Sequence, residues 1–241
     1  MLNQHVNQLN ISHPTAVCDL MVCFFEALIQ KNKYVNLTSI TEWEEAEQKH
    51  LIDSLTAYPL IVEEQEKKSI KQEKKRIEVL DVGAGAGFPS IPLAMCLKEV
   101  NFTLVESVGK KVDFLESVKE SFKLENIRPV KSRIEEFSKI NRFDFVLARG
   151  VAELNIVCEY GLPFLRVGGR LVAYKAQKAE EEILAAQNAL GILGGKIEKK
   201  IPYVLTVKGE VLERVLIVIK KTKETDSKYP RIGNKPRLKP L

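Results

Sequence analysis

Asp81, Gly83, Gly85 and Gly87 form an acid followed by three glycines at every second position, fed by the apolar run Ile77 to Val82 and closed by Phe88-Pro89. Glycines at this density let the backbone take positive φ and let a ligand lie against the main chain with no Cβ in the way. Pro89 suits the opening of a helix, where a missing N–H costs nothing. Such a loop supports the holding of a nucleotide-like cofactor by bare backbone and a helix N-terminus. A second acid, Glu106, ends the run Asn101-Phe102-Thr103-Leu104-Val105-Glu106 nineteen residues after Gly87. A carboxylate at the end of a second strand can accept hydrogen bonds from ribose hydroxyls.

Spacing narrows the ligand. A dinucleotide fold has G-x-G-x-x-G, whereas here the third glycine comes one place early and Phe88 takes its position. That weakens an NAD reading. Asp-x-Gly-x-Gly-x-Gly is instead typical of S-adenosylmethionine (SAM) methyltransferases, whose cofactor has no pyrophosphate to cradle. Glu106 serves a nucleoside ligand of either kind.

The elements that must position these residues alternate. Strands are predicted at 77–82, 101–106, 127–131, 143–148, 170–175, about 199–207 and 213–219, and helices at 89–98, 109–123, 153–164 and 179–193. This is a doubly wound α/β pattern. Its last two strands, with Gly209 between them, read as an antiparallel hairpin at a sheet edge. The first seventy residues are predicted to be a helical cap (1–70), with apolar faces from Ala16 to Gln30 and from Glu42 to Leu60. The charge-dense stretch 63–76 reads as a solvated connection or exposed helix that separates the cap from the catalytic domain, 77–220.

The chain has 241 residues, 45% of them hydrophobic, enough for a sizeable core. No apolar run approaches the ~20 residues of a membrane span and no signal-peptide pattern opens the chain, so a soluble, cytoplasmic protein is expected, acting as a monomer. Cys18, Cys23, Cys96 and Cys158 are scattered without C-x-x-C, and only His5, His13 and His50 could join them; reduced thiols and no metal are expected. The net charge of +5 is concentrated in the tail, 221–241. From Lys220 onward eight Lys or Arg face Glu224 and Asp226, which gives +6 there and −1 for the rest. A basic, proline-containing tail fits contacts with RNA phosphates or a solubilising end.

With these features assembled, the chain resembles the RsmG (GidB) family, bacterial methyltransferases acting on a guanine N7 in the decoding-region loop of 16S ribosomal RNA. The resemblance runs through Tyr34-Val35-Asn36-Leu37-Thr38-Ser39, His50-Leu51-Ile52-Asp53-Ser54-Leu55, the Asp81 to Pro92 loop, Leu104 to Ser107 with Lys110-Lys111, Ser132 to Phe137, Ala148-Arg149, Tyr174-Lys175-Ala176 and Tyr229-Pro230-Arg231. It implies a class I, Rossmann-like SAM methyltransferase sheet. It places cofactor contacts on Gly83, Phe88, Ile134, Glu135 and Arg149, with ribose at Glu106. Without the resemblance, Ile134 and Glu135 read as a helix start capped by Ser132. The implied substrate is 16S rRNA or the small ribosomal subunit, with Lys110, Lys111, Arg133, Lys175 and Arg231 as candidate RNA contacts. Gly150 stands where the family usually has alanine, which makes the loop after Arg149 looser.

The chemistry is consistent with that substrate. The Asn/Asp-Pro-Pro-aromatic sequence of enzymes that methylate exocyclic amines is replaced by Ala148-Arg149-Gly150-Val151, and Cys158 lies in a predicted helix rather than at a cleft, against pyrimidine carbon methylation. Guanine N7 already presents an in-plane lone pair, so transfer needs proximity and orientation but no general base or other catalytic group, with Arg149 the one side chain placed to assist. Two other functions compete: a non-catalytic RNA-binding assembly factor, against which the intact glycine loop speaks, and a methyltransferase of proteins or small molecules, against which the basic tail speaks. His50 and Asp53, three apart on one helix face, are read as part of an RNA-facing or cap surface, or as making a structural hydrogen bond.

Overall fold

A computed structural model describes residues 1–72, 75–138 and 142–241. The chain runs α1 (Leu2–Gln8), α2 (Pro14–Asn32), α3 (Trp43–Ala46), a π-helical stretch (Glu47–Ile52), α4 (Asp53–Leu55), α5 (Tyr58–Ile70), β1 (Ile77–Val82), α6 (Ser90–Cys96), β2 (Val100–Glu106), α7 (Gly109–Ser121) and β3 (Ile127–Lys131). It continues through a 3-10 turn (Ile134–Glu136), β4 (Phe143–Arg149), α8 (Leu154–Gly161), a second 3-10 turn (Leu162–Phe164), β5 (Leu165–Lys175), α9 (Ala179–Ala185), α10 (Gln187–Leu193), β6 (Gly195–Val207), β7 (Glu210–Lys221) and α11 (Lys235–Leu238).

The seven strands form one sheet in the order β3-β2-β1-β4-β5-β7-β6. The first five are parallel, and β7 lies antiparallel between β5 and β6. Every predicted strand is present. β1 and β4 sit mid-sheet with both faces covered, which is why their sequences are nearly continuous apolar runs. β6, at the edge, alternates exposed and half-buried residues and turns into β7 through Lys208-Gly209, both at positive φ.

In the cap, the spacing of Val17, Cys18, Met21, Phe24, Phe25 and Leu28 puts one apolar stripe of α2 inward. Phe24, fully buried, packs on Phe88 and Phe114 with ring centroids 5.4 and 6.3 Å apart; burying such a ring contributes roughly 1.5–3 kcal/mol. Cap and sheet thus share one continuous core, with a second core on the sheet's other face.

Some expectations are corrected. The helix predicted over 42–60 is interrupted at Thr56-Ala57, and its successor α5 carries on into the charge run as far as Ile70. That run is not wholly solvated: Lys68 is buried and its Nζ lies 2.8 Å from an Asp144 carboxylate oxygen. Its residues 73 and 74 fall outside the described residues. The helix predicted over 179–193 divides at Ala186. Nor is the basic tail simply a solvated end, since Tyr229 and Pro236 are buried against α8 and its neighbours.

Candidate functional site

The strand order reverses between β1 and β4, which opens a crevice beyond their C-terminal ends, the place where open α/β sheets bind ligands. The loop after β1 turns through Gly83, Gly85 and Gly87 at φ of +68°, +58° and +99°. A Cβ added at Gly85 would meet nothing nearer than Gly83 O at 3.9 Å, so the loop presents bare backbone to open space. Gly87 is glycine for another reason. A Cβ there would come within 2.3 Å of Ile91 Cγ1, so the loop can fold onto α6 only without one.

Glu106, at the end of β2, is buried and ties two loops together: Oε2 accepts the Gly85 N–H at 3.0 Å and Oε1 the Val108 N–H at 2.8 Å. Oε1 also accepts from Ser107 Oγ at 3.4 Å; a carboxylate offers about four acceptor positions, so one remains for a ligand, on Oε2. Gly83, Glu106, Arg133, Ile134 and Glu135 line a single cavity, with Val82, Val105 and Val151 as apolar walls and Tyr160 and Arg237 at its side. Apolar walls beside a carboxylate with an acceptor position to spare suit a nucleoside, which brings a flat ring and hydroxyls. The 3-10 turn carrying Ile134 and Glu135 starts from Arg133 without a side-chain cap; Ser132 Oγ donates instead to Arg133 O.

Phe88 and Arg149 do not line that cavity. They form a cluster on the cap side of the glycine loop, where Phe88 stacks on His50 (centroids 4.4 Å apart, 17° between planes) and the Arg149 guanidinium lies 5.4 Å from the Phe88 centroid. Arg149, at the end of β4, donates from Nη1 to Asp53 Oδ2 at 2.7 Å and to Lys49 O at 2.6 Å, and from Nη2 to His50 Nδ1 at 3.2 Å. Because a guanidinium cannot accept, Nδ1 carries the lone pair and Nε2 the proton, which Nε2 donates to Thr38 Oγ1 at 2.8 Å. Burial, seconded by the Arg149 charge, lowers the His50 pKa to about 4, so the ring is neutral near pH 7. Tyr203 Oη of β6 donates to Asp53 Oδ1 at 2.6 Å, completing the cluster from the far edge of the sheet. The π-helical stretch widens the helix where His50 meets Arg149, a distortion frequent at functional sites. A second cleft opens here, lined by Lys49, His50, Arg149, Lys175, Tyr203 and Arg214.

Of the candidate RNA contacts, Lys110 and Arg133 are exposed and Lys111 is half-buried. Lys175 is committed elsewhere, its Nζ at 2.5 Å from Glu182 Oε2 and donating to Ala152 O at 2.7 Å. So is Arg231, whose backbone N, Nε and Nη2 all donate to the buried Glu159 carboxylate at 2.6–2.8 Å. Both cations match a buried or half-buried carboxylate, a pairing that sequence could not show because the partners lie in other elements. Asp81 is fully buried, and neither its oxygens nor Ser90 Oγ has a partner at hydrogen-bond geometry. Burial drives its pKa up to about 7, only partly offset by the nearby Ser90 hydroxyl and amide. Cys158 faces the core, where burial pushes its thiol up to about 12, far from a nucleophilic thiolate. The four cysteines are free, and among the described residues no cluster of metal-binding side chains and no helix long and apolar enough to cross a membrane is present.

Sequence reasoning missed Val151, Tyr160, Tyr203 and Arg237. Their residue types carry no motif; Tyr160, Tyr203 and Arg237 reach the crevice from elements distant in sequence, while Val151 lies just past the end of β4.

A sheet of this order with one antiparallel strand, and a cavity at its switch point lined by the glycine loop and the acid that ends β2, is the arrangement of the class I SAM-dependent methyltransferases. The fold is shared with M. jannaschii TYW2, solved in complex with AdoMet (SAM), at a TM-score of 0.52 and 19% identity over 66% of this chain and 75% of that one. Within the class, residues 17–212 match the family described as GidB, rRNA small subunit methyltransferase G, and the chain belongs to that family. It is 39% identical over 224 residues to the ribosomal RNA small subunit methyltransferase G of Lactococcus lactis subsp. cremoris, covering 90% of this chain and 88% of the relative. With the same-named protein of Lachnoclostridium phytofermentans the identity is 40% over 222 residues, covering 90% and 87%. The protein is therefore a SAM-dependent methyltransferase.

Proposed function

We propose that the protein transfers the SAM methyl group to N7 of a guanine in the decoding-region loop of 16S ribosomal RNA, acting in the cytoplasm as a single chain. The observation that carries this reading is family membership across most of the chain together with two clefts, one around Glu106 and one beside Arg149. SAM supplies a methyl group on a sulfonium that leaves as a thioether. Glu106 would hold the ribose hydroxyls with its remaining acceptor capacity on Oε2, the backbone at Gly83 and Gly85 would lie along the cofactor, and Ile134 and Glu135 would flank the adenine.

The chain's contribution to the chemical step is placement. Both His50 ring nitrogens are committed and the ring is neutral, so it supplies no base; N7 of guanine requires none. Cys158 lies in the core and supplies no nucleophile. Arg149, held by Asp53, fixes the edge of the cleft that receives the base, while Phe88, stacked on His50, holds the end of the glycine loop against the cap. Of the five candidate cations, Lys110, Lys111 and Arg133 are left to meet RNA phosphates around the crevice, with Lys175 and Arg231 serving as structural ions.

Mass mapping of 16S rRNA from cells with and without the protein tests the reading. The expected result is one guanine that loses a methyl mass in the deleted strain and regains it when unmethylated small subunits or 16S rRNA are incubated with purified protein and SAM. Identical 16S fragments from the two strains would overturn it.

A further inference from the structure

The basic tail does something its composition did not announce. It leaves β7 at Lys221, whose buried ammonium donates to Leu193 O, and it is fastened again by Thr222 N–H to Gly194 O and by Thr225 Oγ1 to Leu193 O. Tyr229 then enters the second core. Arg231 grips Glu159, a carboxylate 1% exposed, with three donors, and its Nη2 also donates to Lys239 O at 2.9 Å. That last bond folds the chain end back on itself. It brings α11 against α8 with Pro236 buried, and lays Arg237 at the cavity, where its Nη2 donates to Val151 O at 3.2 Å and its guanidinium interacts with the Tyr160 hydroxyl. Tyr160 Oη in turn reaches Glu135 Oε1 at 3.4 Å.

From this arrangement we infer that the C-terminal segment is a wall of the cofactor cavity and that Arg237 is a SAM-binding residue at its nucleoside end. The inference rests on the assignment of SAM to the cavity around Glu106. Arg237 lines the same cavity as Gly83, Glu106, Ile134 and Glu135. A guanidinium has five donors and a flat face; the contacts with Val151 O and Tyr160 leave donors over for the ring nitrogens of adenine, and the face can stack on the base. The Arg231–Glu159 grip is the anchor that lets a chain end serve as a wall, since it fixes the tail at a buried charge four residues before α11 begins. The family match ends at residue 212, so this wall lies beyond the matched stretch.

Calorimetric titration with SAM and with its demethylated product tests the inference, using the full chain, Arg237→Ala, Arg237→Lys and a chain ending after Gly233, which keeps the Arg231 anchor and removes α11. SAM and the product share the nucleoside, so Arg237→Ala is expected to weaken both by the same factor, about tenfold, the worth of one hydrogen bond to a charged group. Arg237→Lys should recover part of that loss, and the truncated chain should lose at least as much as Arg237→Ala. Melting temperatures without ligand should be unchanged for both point variants. Binding within twofold of the full chain for Arg237→Ala would overturn the inference, as would a loss accompanied by a large fall in the ligand-free melting temperature. If the truncated chain does not fold, the two point variants decide. A full chain that binds neither ligand would instead remove the assignment of the cavity to SAM.

Discussion

Replacing Arg149 by alanine should damage the fold as well as the chemistry. The guanidinium is the counter-charge of Asp53 at 2.7 Å, with the two side chains only 18% and 7% exposed, and it also satisfies Lys49 O and His50 Nδ1. Removing one partner of a buried pair leaves the other charge uncompensated, at a cost of roughly 3–5 kcal/mol. Tyr203 still donates to Asp53, which places the expected loss toward the lower end. For a chain of this length each kcal/mol moves the melting temperature by about 2–4 °C, so a fall of roughly 6–12 °C is expected. The informative assay is a double-mutant cycle read by urea unfolding: Arg149→Ala, Asp53→Ala and the pair. The double variant should be more stable than the summed single losses predict, by about 2 kcal/mol, because the second substitution removes the stranded charge. Additive losses, or a fall below about 1 kcal/mol for Arg149→Ala, would refute the reasoning and return Arg149 to a purely ligand-facing role.

Four further outcomes are open to measurement. His50, at about 4 in the folded protein against an ordinary 6.5, contributes stability that is present above pH 6.5 and lost as pH falls toward 4; Asp81, raised to about 7, has the opposite sign, so the effect is read as the difference between the native chain and His50→Gln in unfolding experiments across that window, where equal slopes would count against it. Gly85→Val should abolish SAM binding at a stability cost of only about 1–2 kcal/mol, since the penalty is a β-branched residue at φ +58° and not a clash; a variant that binds normally would show the cofactor lies elsewhere. Asp144→Ala strands Lys68 and frees Arg166 and the Glu78 N–H, so it should destabilise by roughly 3–5 kcal/mol while leaving SAM affinity in the folded fraction intact; loss below 1 kcal/mol would mean the charge run is solvated after all. Cys158→Ala should methylate RNA at the native rate and the native thiol should resist alkylation until the chain unfolds; an inactive variant with an unchanged melt would reopen covalent catalysis.

The sheet and the glycine loop were legible in the sequence because their causes are local. Short apolar runs such as Phe145 to Ala148, bounded by turn residues, fit strands covered on both faces, and glycines at 83, 85 and 87 announce a backbone that turns through positive φ. Glu106 was legible for the same reason, a carboxylate that ends a strand. What sequence could not supply was pairing across distance. Arg149 finds Asp53 ninety-six residues away, and Arg231 finds Glu159 seventy-two residues away. Each reads in isolation as a free cation, so the tail looked like an RNA arm. Lys68 was hidden in the same way, being chemically like its exposed neighbours Lys67 and Lys71 but turned inward onto Asp144.

The position of β7 bears on how the chain is made. A ribosome delivers strands in sequence order, but the sheet seats its last strand second from the edge, between β5 and β6. Until Lys221 has been synthesised, the Arg170–Lys175 edge of β5 has no neighbour, and Leu171, Val172 and Ala173 sit on an open ladder. Tyr203 and Thr206 of β6, which hold Asp53 and Gln48 of the first-made helices, likewise have no seat. The N-terminal elements, already packed on Phe88, Phe114 and Arg149, therefore gain these last holds only when nearly the whole chain is made, a high-contact-order arrangement that slows folding and exposes an unpaired edge meanwhile. A premature stop anywhere before Glu210 would not yield a slightly shortened enzyme; it would yield an aggregation-prone sheet with an unlatched cap.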